Sequence, residues 1–146
     1  MTTVYERVEQ TQRGENPTVI CRMLSGWAVL GDSQFLRGCS LLLPDPVVPD
    51  LNALDTPGRT RFLLDMTLLG DALLVVTGAA RINYSVFGNS DAALHAHVTP
   101  RYKSEPEKLR CGPPAFYDRK NAPKFDPGRD AALVKQLREA IVRLSG

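Results

Sequence analysis

A long stretch of helical periodicity between Thr56 and Gly78 constrains the fold of this chain more than any other feature. Thr56 can cap the start of a helix, Pro57 suits its first turn, and Gly78 can end it. Between them, apolar residues recur at spacings of three and four, namely Phe62, Met66, Leu69, Leu73 and Val76. The pattern predicts one long helix whose apolar face packs into the core.

Short apolar segments on both sides of this helix predict strands. Three precede it, at residues 19–23, 27–30 and 40–43, and residues 81–87 follow it with alternating apolar and polar side chains. Gly88, Asn89 and Ser90 then turn the chain into a strand that carries His95 and His97. Further helices are predicted at residues 4–12 and at about 127–144, the second after an irregular, proline-rich segment at 103–126.

This order of elements predicts an α+β fold with a mostly antiparallel sheet, a long helix packed on it and a C-terminal helix. A length of 146 residues favours one domain over residues 1–146, with a core at about 16–102. The net charge of +2, from 18 basic and 16 acidic residues, gives no signal for a duplex nucleic-acid partner. The polar start and the lack of an apolar run near ~20 residues predict a cytoplasmic protein without a membrane partner.

Three cysteines, Cys21, Cys39 and Cys111, are widely spaced and form no Cys-x-x-Cys pair. That pattern argues against a disulfide framework and against a zinc ribbon. We expect reduced thiols.

The chain has only two histidines, His95 and His97, and they are one residue apart. In a strand, side chains repeat with period two, so both rings are expected to leave one face while Leu94, Ala96 and Val98 leave the other. An imidazole can act as nucleophile, proton donor, proton acceptor or metal ligand near neutral pH. Two of them sharing a site are suited to chemistry at phosphorus.

The residues around this pair resemble the active-site hairpin of the histidine triad (HIT) family. The resemblance is carried by residues 81–89 (RINYSVFGN) and 94–102 (LHAHVTPRY). Upstream, residues 37–44 (RGCSLLLP) followed by Leu51 are similar to that family's strand and proline turn before its long helix. The likeness spans roughly residues 20–102 and implies a HIT-like fold.

The resemblance also implies roles. His95 matches the histidine that attacks the α-phosphate of a nucleotide, forming a nucleotidyl-histidine that water hydrolyses. His97 matches the histidine that contacts the phosphate and leaving group, and a histidine there favours hydrolysis over transfer. Substrate-binding candidates are Asn83, Asn89 and Ser90, which match phosphate-holding positions, together with Arg101. The implied substrates are a dinucleoside polyphosphate or a nucleoside phosphoramidate.

The chain departs from the family at three positions. The first histidine of the triad is replaced by Ala93, and two further histidines match Cys39 and Val47. A nucleophilic imidazole needs its far nitrogen held as N–H by an acceptor, and a backbone carbonyl near Ala93 can provide one. We therefore expect catalysis to be reduced but retained. No cofactor or metal is expected, although a divalent cation would accompany a polyphosphate; the resemblance also implies a homodimer.

Other interpretations remain open. His-x-His is a common pair of metal ligands, with Asp91, Glu105 or Cys39 as conceivable third partners. The lost histidines also fit a noncatalytic nucleotide-binding or regulatory module.

A basic and aromatic stretch follows the histidine strand, comprising Lys103, Lys108, Arg110, Arg119 and Lys120 with Phe116, Tyr117 and Phe125. We interpret it as a solvated connector in preference to a segment that wraps a polyphosphate.

Overall fold

The structure, a computed structural model, describes residues 2–146. Five strands form one antiparallel sheet: β1 (Val19–Arg22), β2 (Gly26–Leu30), β3 (Ser40–Pro44), β4 (Arg81–Ser85) and β5 (Ala96–Arg101). The helices are α1 (Val4–Gln12), α2 (Thr56–Thr77), α3 (Glu107–Arg110) and α4 (Pro127–Leu144), with 3-10 turns at Leu51–Ala53 and Pro114–Phe116. The predicted α+β class with a mostly antiparallel sheet is confirmed.

The strand order β1-β2-β3-β5-β4 places β5 inside the sheet, between β3 and β4. His97 consequently has a neighbour on each side, pairing with Leu41 of β3 and with Ser85 of β4. An interior strand is held by hydrogen bonds along both edges, so its side chains have fixed directions. The sheet thus provides a rigid base for His97.

Helix α2 forms where the periodicity predicts it. Its cap, however, is Asp55, whose carboxylate accepts the N–H of Gly58, and Thr56 is the first helical residue. The prediction of Thr56 as cap was therefore wrong by one position, because the aspartate before it has an equally suitable acceptor. Gly78 ends the helix with φ of 69°, a left-handed conformation that favours glycine.

The two faces of the sheet are covered by different helices. Helices α2 and α4 pack on one face, where alternate strand residues such as Leu42, Ala96 and Val98 are buried with them. Helix α1 packs on the other face through Val4 and Val8. Strand alternation places His97 on this second face. The site therefore lies on the α1 side, away from the main core.

Two segments differ from their predicted boundaries. Strand β4 ends at Ser85, and β5 begins only at Ala96, so a loop of residues 86–95 replaces the short turn expected at 88–90. The main chain of this loop is tied down at Leu94, whose N–H donates to the carbonyl of Val48 at 2.8 Å. His95 is consequently the last residue of this loop and lies directly before β5.

Among residues 2–146, the helices are too short or too polar to span a lipid bilayer.

Core packing by α2 predicts a contrast between two leucines of the same helix. Leu73 is fully buried, whereas Leu63 is 40% exposed. Replacing Leu73 with alanine should lower the free energy of unfolding by about 2–5 kcal/mol, because it leaves a cavity in the core. Leu63→Ala should cost less than about 1 kcal/mol. Urea denaturation of both variants measures this, and equal losses would contradict the described packing.

Candidate active site

Both imidazole rings open into one cavity of about 900 Å³ on the α1 side of the sheet. The ring centroids of His95 and His97 are 5.2 Å apart. Leu94, Ala96 and Val98 are buried in the main core, on the other side of the sheet. The structure thus brings together the two histidines that the sequence places one residue apart.

A backbone contact fixes the proton on His95. Its Nδ1 lies 2.8 Å from the carbonyl oxygen of Ala93. A carbonyl oxygen can only accept a hydrogen bond, so Nδ1 must carry the proton and donate it. In the neutral ring, the other nitrogen, Nε2, then keeps its lone pair. His95 is held in the tautomer that a nucleophile needs, and the side chain at position 93 plays no part in this bond.

The carbonyl of Ala93 is itself held in place by α1. Ala93 is fully buried in an apolar cluster with Val4 and Val8 of that helix. Two residues earlier, the carboxylate of Asp91 accepts the N–H of Val4 at 2.8 Å, at the first turn of α1. The helix N-terminus favours a negative charge at this place. Helix α1 and the loop before β5 therefore form one packed unit behind His95.

The environment of His97 keeps its ring neutral. Burial in the cavity wall, with smaller contributions from the nearby His95 and Arg119, lowers the pKa of His97 from 6.5 to about 4. A neutral imidazole has one N–H donor and one acceptor nitrogen. Near neutral pH, His97 is thus able to donate a hydrogen bond without adding a charge beside His95.

The cavity wall is rich in cations. Arg7, Arg119, Lys120 and Lys124 line it, against two carboxylates, Asp32 and Asp91. Asp32 pairs with Arg7 at 2.5 Å, and Asp91 accepts the N–H of Val4. Within residues 2–146, the other three cations make no salt bridge. The cavity is therefore suited to an anion.

The candidate phosphate-binding residues divide into two groups. Asn89 and Ser90 line the histidine cavity. Asn83 and Arg101 instead border a separate cavity of about 360 Å³. The guanidinium of Arg101 donates to the Asn83 side-chain oxygen at 2.7 Å and to the carboxylate of Glu105 at 2.9 Å.

The structure does not bring Asn83 and Arg101 to the histidine cavity. Arg101 is buried and also donates to the carbonyls of Leu109 and Gly112. A buried guanidinium needs acceptors for all its N–H groups, and these bonds satisfy that need. Asn83 and Arg101 thus bind each other and hold the segment after β5 in place. Neither residue lines the histidine cavity.

The segment expected to be a solvated connector contains three cations that line the histidine cavity, namely Arg119, Lys120 and Lys124. Their alternation with aromatic residues was the available signal, but it fits a solvated connector equally well. Only the folded path of the chain, which returns to the end of β2, brings Arg119, Lys120 and Lys124 to the histidines.

Two other interpretations of the site, a reactive Cys39 thiol and a metal centre, find no support in the structure. Burial raises the pKa of the Cys39 thiol to about 12, so this thiol stays protonated and is a poor nucleophile. Within residues 2–146, no three side chains among His, Cys, Asp and Glu approach closely enough to hold a metal ion. The histidine pair therefore stands without a third side-chain ligand in this part of the chain.

The lowered pKa of His97 predicts a pH-dependent stability. The pKa of the unfolded chain is near 6.5 and that of the folded protein about 4, so the unfolded chain takes up the proton first as pH falls. The contribution is complete above pH 6.5 and is lost as pH falls toward 4. Urea denaturation across this range should show a smaller loss for His97→Gln than for the wild type. Equal losses would contradict the assigned environment.

Comparisons with known proteins place this architecture. No protein-family model and no curated protein sequence matches the chain. Solved structures do match it. A histidine triad protein from Marinobacter aquaeolei VT8 is similar with a TM-score of 0.76 at 17% sequence identity, over 99% of this chain and 98% of that chain.

Two further structures show the same similarity. A hypothetical histidine triad nucleotide-binding protein from Sulfolobus tokodaii strain 7 has a TM-score of 0.74 at 17% identity, over 94% of this chain and 92% of that chain. A zinc-bound histidine triad family protein from Mycobacterium smegmatis has a TM-score of 0.64 at 21% identity, over 97% of each chain. The HIT-like fold implied by the hairpin residues is confirmed: this chain has the fold of the histidine triad proteins.

Proposed function

We propose that this chain is a nucleotide hydrolase that cleaves a phosphoanhydride or phosphoramidate bond at the α-phosphate of a nucleotide, through a nucleotidyl-histidine on His95. The observation that carries the proposal is the bond from His95 Nδ1 to the Ala93 carbonyl, inside a cavity lined by cations. The fold likeness to histidine triad proteins, one of them described as nucleotide-binding, supports it.

In the first step, the lone pair of His95 Nε2 forms a bond to the α-phosphorus while the bond to the leaving group breaks. The leaving group departs with the bonding electron pair: a phosphate chain leaves as an anion, whereas an amine takes up a proton from solvent water. His97, neutral and next to His95, is placed to donate a hydrogen bond to a phosphate oxygen or to the departing atom. The Ala93 carbonyl stabilises the imidazolium that forms, because it accepts the Nδ1–H.

In the second step, water attacks the phosphorus and the N–P bond breaks. The products are a nucleoside monophosphate and free His95, so one water molecule is consumed overall. Asn89 and Ser90, in the same cavity wall, supply amide and hydroxyl groups that orient the phosphate oxygens. This chemistry relies on positioning and electrostatics and needs no cofactor, although a divalent cation would accompany a polyphosphate substrate.

A noncatalytic nucleotide-binding or regulatory module is the second candidate. The buried position of Ala93 among valines favours it, since no third imidazole stands beside His95. This alternative keeps the anionic ligand but predicts binding without turnover.

The proposal predicts that His95→Ala loses hydrolysis of adenosine 5′-phosphoramidate and of diadenosine triphosphate by at least about 1,000-fold, because the nucleophile is gone. The wild type should acquire one nucleotidyl group on His95, seen by mass spectrometry after an alkaline, denaturing quench. His97→Gln, which keeps the nucleophile, serves as the matched control and should still label. Nucleotide binding by the wild type without turnover or labelling would favour the module instead.

We also propose a homodimer, formed through α2 and the sheet edge at β4. Leu64 and Val75 lie about three turns apart on one face of α2 and are 61% and 60% exposed. Tyr84 of β4 reaches this helix, lying close against Gly70. Strand β4 is an edge strand, so its outer hydrogen-bonding groups are free to pair with a second copy.

The dimer proposal predicts that the wild type sediments as a dimer and that Leu64→Arg shifts it to the monomer, because a buried charge opposes association. Val142→Arg is the control, since Val142 is equally exposed but lies on α4. A monomeric wild type, or a Leu64→Arg variant that stays dimeric, would contradict this interface.

A further inference from the structure

Within residues 2–146, three cations of the histidine cavity make no salt bridge. Arg119, Lys120 and Lys124 all belong to the segment between the 3-10 turn at Pro114–Phe116 and α4. The carboxylates that share the wall, Asp32 and Asp91, already bind Arg7 and the first N–H of α1. The positive charge of these three side chains is therefore available to a ligand.

The segment that carries the cations is fixed to the sheet by its main chain. Gln34 N–H donates to the carbonyl of Pro123 at 2.7 Å, and Phe125 N–H donates to the carbonyl of Asp32 at 2.8 Å. Ser33 and Lys124 form an antiparallel bridge between these two bonds. The cationic wall is thus attached directly beyond the end of β2 and holds a constant position relative to the histidines.

One of the three cations is also oriented by packing. The guanidinium of Arg119 lies over the ring of Phe35 at 4.5 Å from its centroid. Its carbonyl accepts a hydrogen bond from the Ser33 hydroxyl at 3.2 Å. The charge of Arg119 also acts on His97 and contributes to lowering the pKa of that ring. The wall therefore begins within electrostatic reach of the reacting centre.

The size of the cavity matches more than a single phosphate. Its volume of about 900 Å³ falls within the range of whole small-molecule sites. Asn89 and Ser90 stand on the histidine side, whereas the three cations come from the separate segment attached to residues 32–34. This division provides polar groups for the phosphate at His95 and charges for further anionic groups.

We propose that Arg119, Lys120 and Lys124 form a subsite for the phosphates beyond the α-phosphate, so that the leaving group is a phosphate chain and not a neutral amine. This inference rests on the proposed function and deepens it. The cations stabilise the negative charge that builds on the chain as the bond to the α-phosphorus breaks. The substrate class is accordingly a nucleotide with two or more linked phosphates.

The test measures the binding of AMP, ADP and ATP by titration calorimetry to the wild type and to Lys120→Gln/Lys124→Gln. Arg119 is left unchanged because it packs on Phe35. Wild-type affinity should rise with each added phosphate. The double variant should lose affinity progressively, with the largest loss, about five- to tenfold, for ATP.

Lys108→Gln/Lys135→Gln is the matched control, because it removes the same charge from two exposed lysines outside the cavity. It should bind all three nucleotides like the wild type. Equal wild-type affinity for AMP and ATP, equal losses for all three in the cavity variant, or no binding at all would overturn the subsite.

Turnover measured in parallel separates the two proposals. Hydrolysis of adenosine 5′-phosphoramidate together with equal binding of AMP and ATP would overturn the subsite and leave the proposed function intact. Binding that strengthens with chain length, without turnover of any substrate, would support the subsite and overturn the hydrolase.

Discussion

The hydrogen bond between His95 Nδ1 and the carbonyl of Ala93 is the interaction on which the site depends. It determines which ring nitrogen has a lone pair, and hence whether His95 is able to attack phosphorus. Because the acceptor belongs to the main chain, it survives a change of side chain at position 93.

Contacts from β5, from Val48 and from α1 hold the Ala93 carbonyl in place. Strand β5 is paired on both edges, which fixes His97, and the loop before it is tied to Val48 by a main-chain bond. Helix α1 packs against this loop through Val4 and Val8. In addition, the carboxylate of Asp91 in the loop accepts the N–H of Val4. The small side chain of Ala93 suits this close packing. Helix α1 thus keeps the backbone at Ala93 next to the ring of His95.

The sequence predicted the regular elements well, since α2 and the strands show clear periodicity and turn residues. It also predicted that His95 and His97 share a site, and both rings do line one cavity, although His95 lies in the loop before β5. It did not predict the partners of Arg101, because the buried network with Asn83 and Glu105 depends on how an irregular segment folds back. For the same reason, Arg119 and its neighbouring lysines were interpreted as a connector. Contacts between a loop and residues far away in the chain produce no local pattern in the sequence.

The most direct test of the account is the protonation of His95, read from long-range ¹H–¹⁵N correlations of the imidazole rings near neutral pH. The account predicts that His95 carries its proton on Nδ1 and that Nε2 is bare. A spectrum showing the proton on Nε2 would place the lone pair against the Ala93 carbonyl. That result would contradict both the described hydrogen bond and the role of His95 as nucleophile.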